Sequence, residues 1–529
     1  MGFIQKLAVV AAGGFAAWIC VITPVAAAPA VRGATSAGEI GLYAAADFLL
    51  VDGACADCKT LKPALWYFRG DQVAVPKDGV ASAGFTAGVA AQADVRAWYS
   101  SATPEDLKAR PGLIWIGSPS IIGDARLQPS GDSVVVAGGS AAFFAQRPLR
   151  IRGRVETASN GVQSVTARTI WPQDYVIDAV RAPLAPLAAG ETLSGLVRQN
   201  EANTRYEARV LWERSPGAPR QWPGMAALGI MLNGAQGDDD EAHGGHFAIS
   251  TGRLGARGEW ADWLVNNFYN LDSFSEKGII AAMVPMDNYL MDLNSGQSYY
   301  RPSHIVVALL RNDRAALAYQ GAVSRVYNHF YRHDFRYRHA GANCAGISLD
   351  TLRSLGWEIP VRGATSYIKA VAAYPYMAIK ERSLDSGRSS FDYMREEQTR
   401  LYPAVAFDAA GNDLLSLAGG REARSDYERL LKENLEAVIF LRIPQVPSSR
   451  AAGTFAVASI AEYMKRAPED RAQWKIVPVG PRPFPAEFVN ADTEPEQLDN
   501  GGGLLVAGVL LAGGIVAVRA SRKRRTRMR

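Results

Sequence analysis

Two uncharged apolar runs bracket this chain and decide in which compartment the rest of it folds. Gly501 to Val518 provides eighteen residues without a charge, about 27 Å as a helix, enough to cross a hydrocarbon core. The eleven residues after it, Arg519 to Arg529, hold seven basic side chains and no acid. Such a cluster stays cytoplasmic. Residues 501–518 therefore read as a transmembrane helix and 519–529 as its basic cytoplasmic tail. At the other end, Lys6, the apolar stretch Leu7 to Ile22 and the small residues Ala26, Ala27, Ala28 and Ala30 make residues 1–30 a secretory signal peptide. An uncleaved N-terminal anchor is the alternative. Both ends agree on a body on the periplasmic, extracytoplasmic face, held to the membrane by the C-terminal helix.

The net charge of +5 belongs to the tail. Setting aside its seven basic residues and Lys6 leaves residues 31–518 at −3. The body thus lacks the phosphate-neutralising charge that nucleic acid demands. With 48% apolar and 21% charged residues, the chain is a folding one rather than a disordered one.

Residues 31–224 read as a β-rich N-terminal domain. Short apolar runs (Leu113 to Ile116, Ser133 to Val136, Leu149 to Val155) alternate there with Gly, Pro, Asp and Ser. Turns at Pro216-Gly217 and Pro223-Gly224 mark its end. Residues 225–360 contain all six histidines. Residues 361–480 read as mainly helical, with amphipathic stretches over Asp426 to Phe440 and Phe455 to Met464. Residues 481–500 are a spacer before the apolar span.

Cys55 and Cys58 form a CxxC after the apolar run Phe48 to Val51. Strand, CxxC, helix is the order of a redox pair, in which a helix N-terminus lowers a thiol pKa. Outside the cytoplasm, a local structural disulfide between Cys55 and Cys58 is the commoner use. With the leader removed and that pair joined, Cys344 is left over.

Cys344 follows Asn343, a good N-cap residue, and precedes Ile347, Leu352 and Leu355 at helical spacing, with Gly356 closing the run. At the first position of a helix, the dipole and the open N–H groups favour a thiolate, the form that attacks carbonyls. A small buried thiol acting as a hydrophobe is the bland alternative. The thiol needs a base, and His246 is the best candidate. It opens the alternating run His246 to Gly252, read as a strand, after Gly244 and Gly245. A second strand, Trp263 to Tyr269, carries Asn266 and Asn267 on opposite faces. One of them can orient the imidazole, and Asn267 is preferred.

Gly245-His246-Phe247-Ala248-Ile249 on a strand, another strand, a helical connection and Asn343-Cys344 opening a helix resemble the circularly permuted papain-like group. That group is related to the NlpC/P60 hydrolases and the lecithin:retinol acyltransferases. Within it, the chain is most similar to the Lnb N-terminal periplasmic domain of bacterial lipoprotein N-acyltransferases. Tyr300-Arg301 and the aromatic stretch Tyr327 to Tyr337 share the resemblance, which covers residues 225–360. It implies an α+β fold in which an antiparallel sheet packs on the helix carrying Cys344. It also implies a Cys344 acyl-enzyme with His246 as base and no cofactor, and substrate contacts from Arg301, Tyr300 and Tyr337. The expected substrate is an envelope one: a phospholipid, a lipoprotein or a peptidoglycan peptide.

Two rivals stand. His329 and His333, four apart on a helix, and His243 with His246 near Asp238 to Glu241 allow a metal-dependent envelope hydrolase. Arg325, Arg332, Arg336 and Arg338 crowd the first pair and suit an anion better than a cation. The other rival is a non-enzymatic envelope binding protein.

Overall fold

The protein is described by a computed structural model. It covers residues 72–74, 126–127, 149–157, 159, 163–199, 205–234, 244–270, 279–291, 300, 302–331, 337–338, 340–444 and 455–466. It is an α+β architecture with two sheets. The smaller contains β1 (Gln72–Ala74), β2 (Arg126–Leu127), β3 (Leu149–Thr157) and β4 (Gln163–Pro172) in the order β1-β3-β4-β2. After it come the short helix α1 (Leu193–Arg198), β5 (Glu207–Glu213), β6 (Ala226–Asn233), β7 (His246–Arg253), β8 (Leu264–Asn270) and β9 (Ile279–Pro285). The chain continues through α2 (Met286–Met291), β10 (Ser303–Leu310), α3 (Arg314–Tyr331) and α4 (Cys344–Ser354). It ends its described part with α5 (Tyr367–Lys380), α6 (Leu384–Arg395), α7 (Gln398–Leu401), α8 (Pro403–Ala418), α9 (Asp426–Asn434), β11 (Leu435–Ile443) and α10 (Ile460–Arg466).

The larger sheet has seven strands in the order β5-β11-β10-β6-β7-β8-β9, every neighbouring pair antiparallel. β6 and β10 are buried at every position, as continuous apolar runs covered on both faces must be. Helices cover one face. Gln320 of α3 donates to Thr251 Oγ1 on β7 at 2.7 Å, and α8 presses so close that a methyl on Gly411 would meet Val306 of β10. Aromatics cover the other face. Trp171, Tyr175, Tyr206, Trp260, Trp263 and Tyr300 form one cluster, with Trp171 and Trp260 edge to face at 4.7 Å. Gly252 is required there, because a Cβ would lie 2.2 Å from Trp263. On that side β3 is tied in by a buried ion cluster: Arg150 reaches both Asp262 and Asp287, and all three are buried.

Three expectations are corrected. The C-terminal transmembrane helix is not supported: no helix among the described residues is long and apolar enough to cross a membrane. The longest, α3, has 18 residues but contains Arg314, Arg325 and His329. Residues 501–518 lie outside the described residues, as do the signal-peptide span and Cys55 and Cys58. Second, the sheet is not confined to 225–360, because β5 comes from before residue 224 and β11 from after residue 360. Third, Asp426 to Phe440 is not one helix. α9 ends at Asn434, and Leu435 begins a strand whose pairing with both β10 and β5 satisfies its backbone groups.

A candidate nucleophile on a capped helix

Asn343 starts α4. Its Oδ1 accepts from Gly346 N at 2.8 Å, and its Nδ2 donates to Leu401 O at 3.3 Å. Cys344 is the first residue of the helix, 7% exposed and not in a disulfide. Gly356, at φ +102°, stops the helix one residue past its C-cap. The cap and the helix dipole together put partial positive charge beside the sulfur. The Cys344 N–H donates to the Tyr337 hydroxyl at 3.3 Å, and the Tyr337 ring packs on Phe268 of β8 at 5.6 Å.

One turn along α4, Ser348 Oγ accepts from Asn266 Nδ2 at 2.9 Å, and Asn266 Oδ1 accepts from Ile249 N at 2.6 Å. Asn266 therefore bridges α4, β8 and β7. The backbone pairing of β7 with β8 is confined to Ser250–Val265 and Thr251–Leu264; at the next position the Asn266 side chain, not its carbonyl, takes the Ile249 N–H. Asn266 is thus committed to holding α4 on the sheet.

His246 is the first residue of β7, opposite Asn233 of β6, which is opposite Ser303 of β10. Phe247, Ile249 and Thr251 face the helices, so alternation sends His246 to the other side. There its half-buried ring lies 5.8 Å from the Tyr289 ring of α2. Asn267, 8% exposed, alternates with Asn266 and faces away from α4, as His246 does. The structure therefore brings Cys344 and Tyr337 together on the helical face and puts His246 and Asn267 on the opposite one. Tyr300 also belongs to that opposite face, fully buried in the aromatic cluster 6.2 Å from Trp171, and burial raises its pKa well above that of an ordinary tyrosine. Arg301 lies outside the described residues.

Sequence reasoning missed Asn233. It is 3% exposed, and its Oδ1 meets no donor among the described residues. Opposite residues on antiparallel strands have Cβ atoms about 5 Å apart, which makes it the nearest cross-strand amide to His246. No local motif marks it, since only register makes the two neighbours.

Of the histidines in the rival metal reading, His329 is exposed on α3, while His243 and His333 are outside the described residues. Among the described residues, no three His, Cys, Asp or Glu side chains gather in a metal-binding group. On the aromatic side, a cleft of about 780 Å³ opens among Trp171, Asp174, Tyr175, Arg220 and Arg257. Comparison of the chain with protein-family models, curated proteins and solved structures returns no match.

Proposed function

We propose that the protein is a thiol-dependent acyl-transfer enzyme, a hydrolase or acyltransferase, with Cys344 as nucleophile. The observation that carries the proposal is the Asn343-capped start of α4, which sets a thiol at the positive end of the helix dipole and straps that helix to β7 and β8 through Asn266. The Cys344 thiolate adds to an ester or amide carbonyl, and collapse expels the alcohol or amine to leave a thioester. Water or an amine then attacks the thioester and restores the thiol. Tyr337 yields the Cys344 N–H to the developing oxyanion. His246 is the base that the resemblance implies, and it would have to leave its place opposite Asn233 at the start of β7 to reach the Cys344 thiol. The resemblance to permuted papain-like enzymes and the secretory leader expected at residues 1–30 support an envelope substrate carrying an acyl group: phospholipid, lipoprotein or peptidoglycan.

One observation favours a second reading, an envelope binding protein without catalysis: His246 lies on the face away from Cys344. Mass spectrometry after exposure to envelope lipids separates the two. The enzyme carries an acyl adduct on Cys344. Cys344→Ala abolishes both adduct and turnover with the fold intact, and His246→Ala slows turnover roughly 10²–10⁴-fold. Full turnover by Cys344→Ala ends the proposal, and an adduct-free protein without Cys344-dependent turnover is the binding protein.

A further inference from the structure

α5 and α6 form a helical hairpin in which Tyr393 of α6 packs on the body beside Leu401, Tyr402 and Val405. Between them they bury only Ala370 and Gly387, and they pack on each other there: a Cβ on Gly387 would come 2.6 Å from Tyr374 O and 2.9 Å from Ala378 Cβ. The ring of Tyr374 meets that of Phe391 edge on. A surface helix ordinarily turns its apolar stripe inward and its polar residues outward. α5 does not. Ile368, Val371, Ala372, Pro375, Tyr376 and Ile379 follow the i, i+3, i+4, i+7, i+8, i+11 spacing of a single face, and that face is the outward one. Ile368 is 85% exposed and Ile379 78%. The stripe runs about 17 Å along the axis.

The charges choose the occupant. α5 has two charged residues, Lys369 and Lys380, both exposed and both on one margin of the stripe, and no acid. Glu381 and Arg382, of opposite charge, follow at the hairpin tip, so the two lysines set the charge of this face. A second copy of α5 laid on this stripe would offer those lysines no carboxylate from within the helix. An anionic lipid surface meets both demands at once, since the apolar stripe sinks to the acyl boundary while the lysine ammonium groups reach the headgroups. We propose that α5 is an interfacial helix that lays its Ile368–Ile379 stripe on an anionic bilayer. Peripheral docking of this kind is independent of any acyl chemistry at Cys344.

Hydrogen exchange of the full chain tests it, because the readout is local to the peptide covering residues 366–382. With phosphatidylglycerol-containing vesicles, exchange in that peptide slows, and with pure phosphatidylcholine vesicles it does not. Lys369→Glu/Lys380→Glu and Ile368→Ser/Ile379→Ser each lose the protection while keeping the wild-type circular dichroism spectrum. Equal protection by neutral vesicles, or none by anionic ones, overturns the proposal. So does protection without vesicles: where it grows with protein concentration, a second copy covers the stripe, and where it does not, another segment of this chain does.

Discussion

His304 offers the sharpest quantitative test of the sheet. It lies in the middle of the seven strands, 1% exposed and stacked on Phe440 with ring centroids 5.8 Å apart. Neither ring nitrogen has a hydrogen-bond partner among the described residues. Burial, with the Arg442 charge adding to it, pushes its pKa from 6.5 down to about 3. The folded protein thus holds this imidazole neutral where the unfolded chain takes up a proton. Between those two pKa values the unfolded state binds more protons, so stability falls as pH drops below 6.5 and stops falling near 3. At pH 4 the loss from this residue alone is about 3 kcal/mol. His304→Leu removes the titration and an unsatisfied buried polar group, whose cost is about 1–3 kcal/mol. The variant should therefore equal or exceed wild type at pH 7 and exceed it by about 3 kcal/mol more at pH 4. Urea unfolding of both proteins at the two pH values, with matched slopes, measures the difference. If the two lose the same stability between pH 7 and pH 4, the imidazole is not the buried neutral group described here.

Asn266→Ala breaks the bridge from Ser348 to Ile249 N and leaves a buried N–H open; thermal unfolding should register about 2–4 kcal/mol of destabilisation, and Asn267→Ala clearly less. Arg150→Met removes the Arg150 guanidinium from Asp262 and Asp287, at a cost of about 3–5 kcal/mol by urea titration. Adding Asp262→Asn and Asp287→Asn should recover part of that loss, and an unchanged deficit in the triple variant would show that the ion cluster is not its cause.

What could be read from the sequence was what is local. The alternation of His246 to Gly252 announces β7, and Asn343 announces the start of α4, because period and cap chemistry act over a few residues. What escaped depends on distant partners. Leu431, Leu435 and Val438 fit a helical stripe as well as they fit a strand. Only docking between β10 and β5 turns the second half of that run into β11. The face taken by His246 follows from which side of β7 the helices cover, a choice that alternation alone leaves open. Asn233 and His246 are thirteen residues apart and become neighbours through β6–β7 register. The joining of β3 to the larger sheet rests on Arg150 meeting two carboxylates more than a hundred residues away.

β11 is the last strand in chain order among the described residues, yet it belongs inside the sheet, between β5 and β10. Until residue 443 has emerged, β10 presents Ser303 to Leu310, with its Ile-Val-Val core, as an open apolar edge able to pair with another chain. A ribosome or translocation channel feeding this protein out from its N-terminus must therefore keep about two hundred residues waiting before the sheet can close. Yield in the cell should then depend on holdase chaperones more than the stability of the finished fold would indicate.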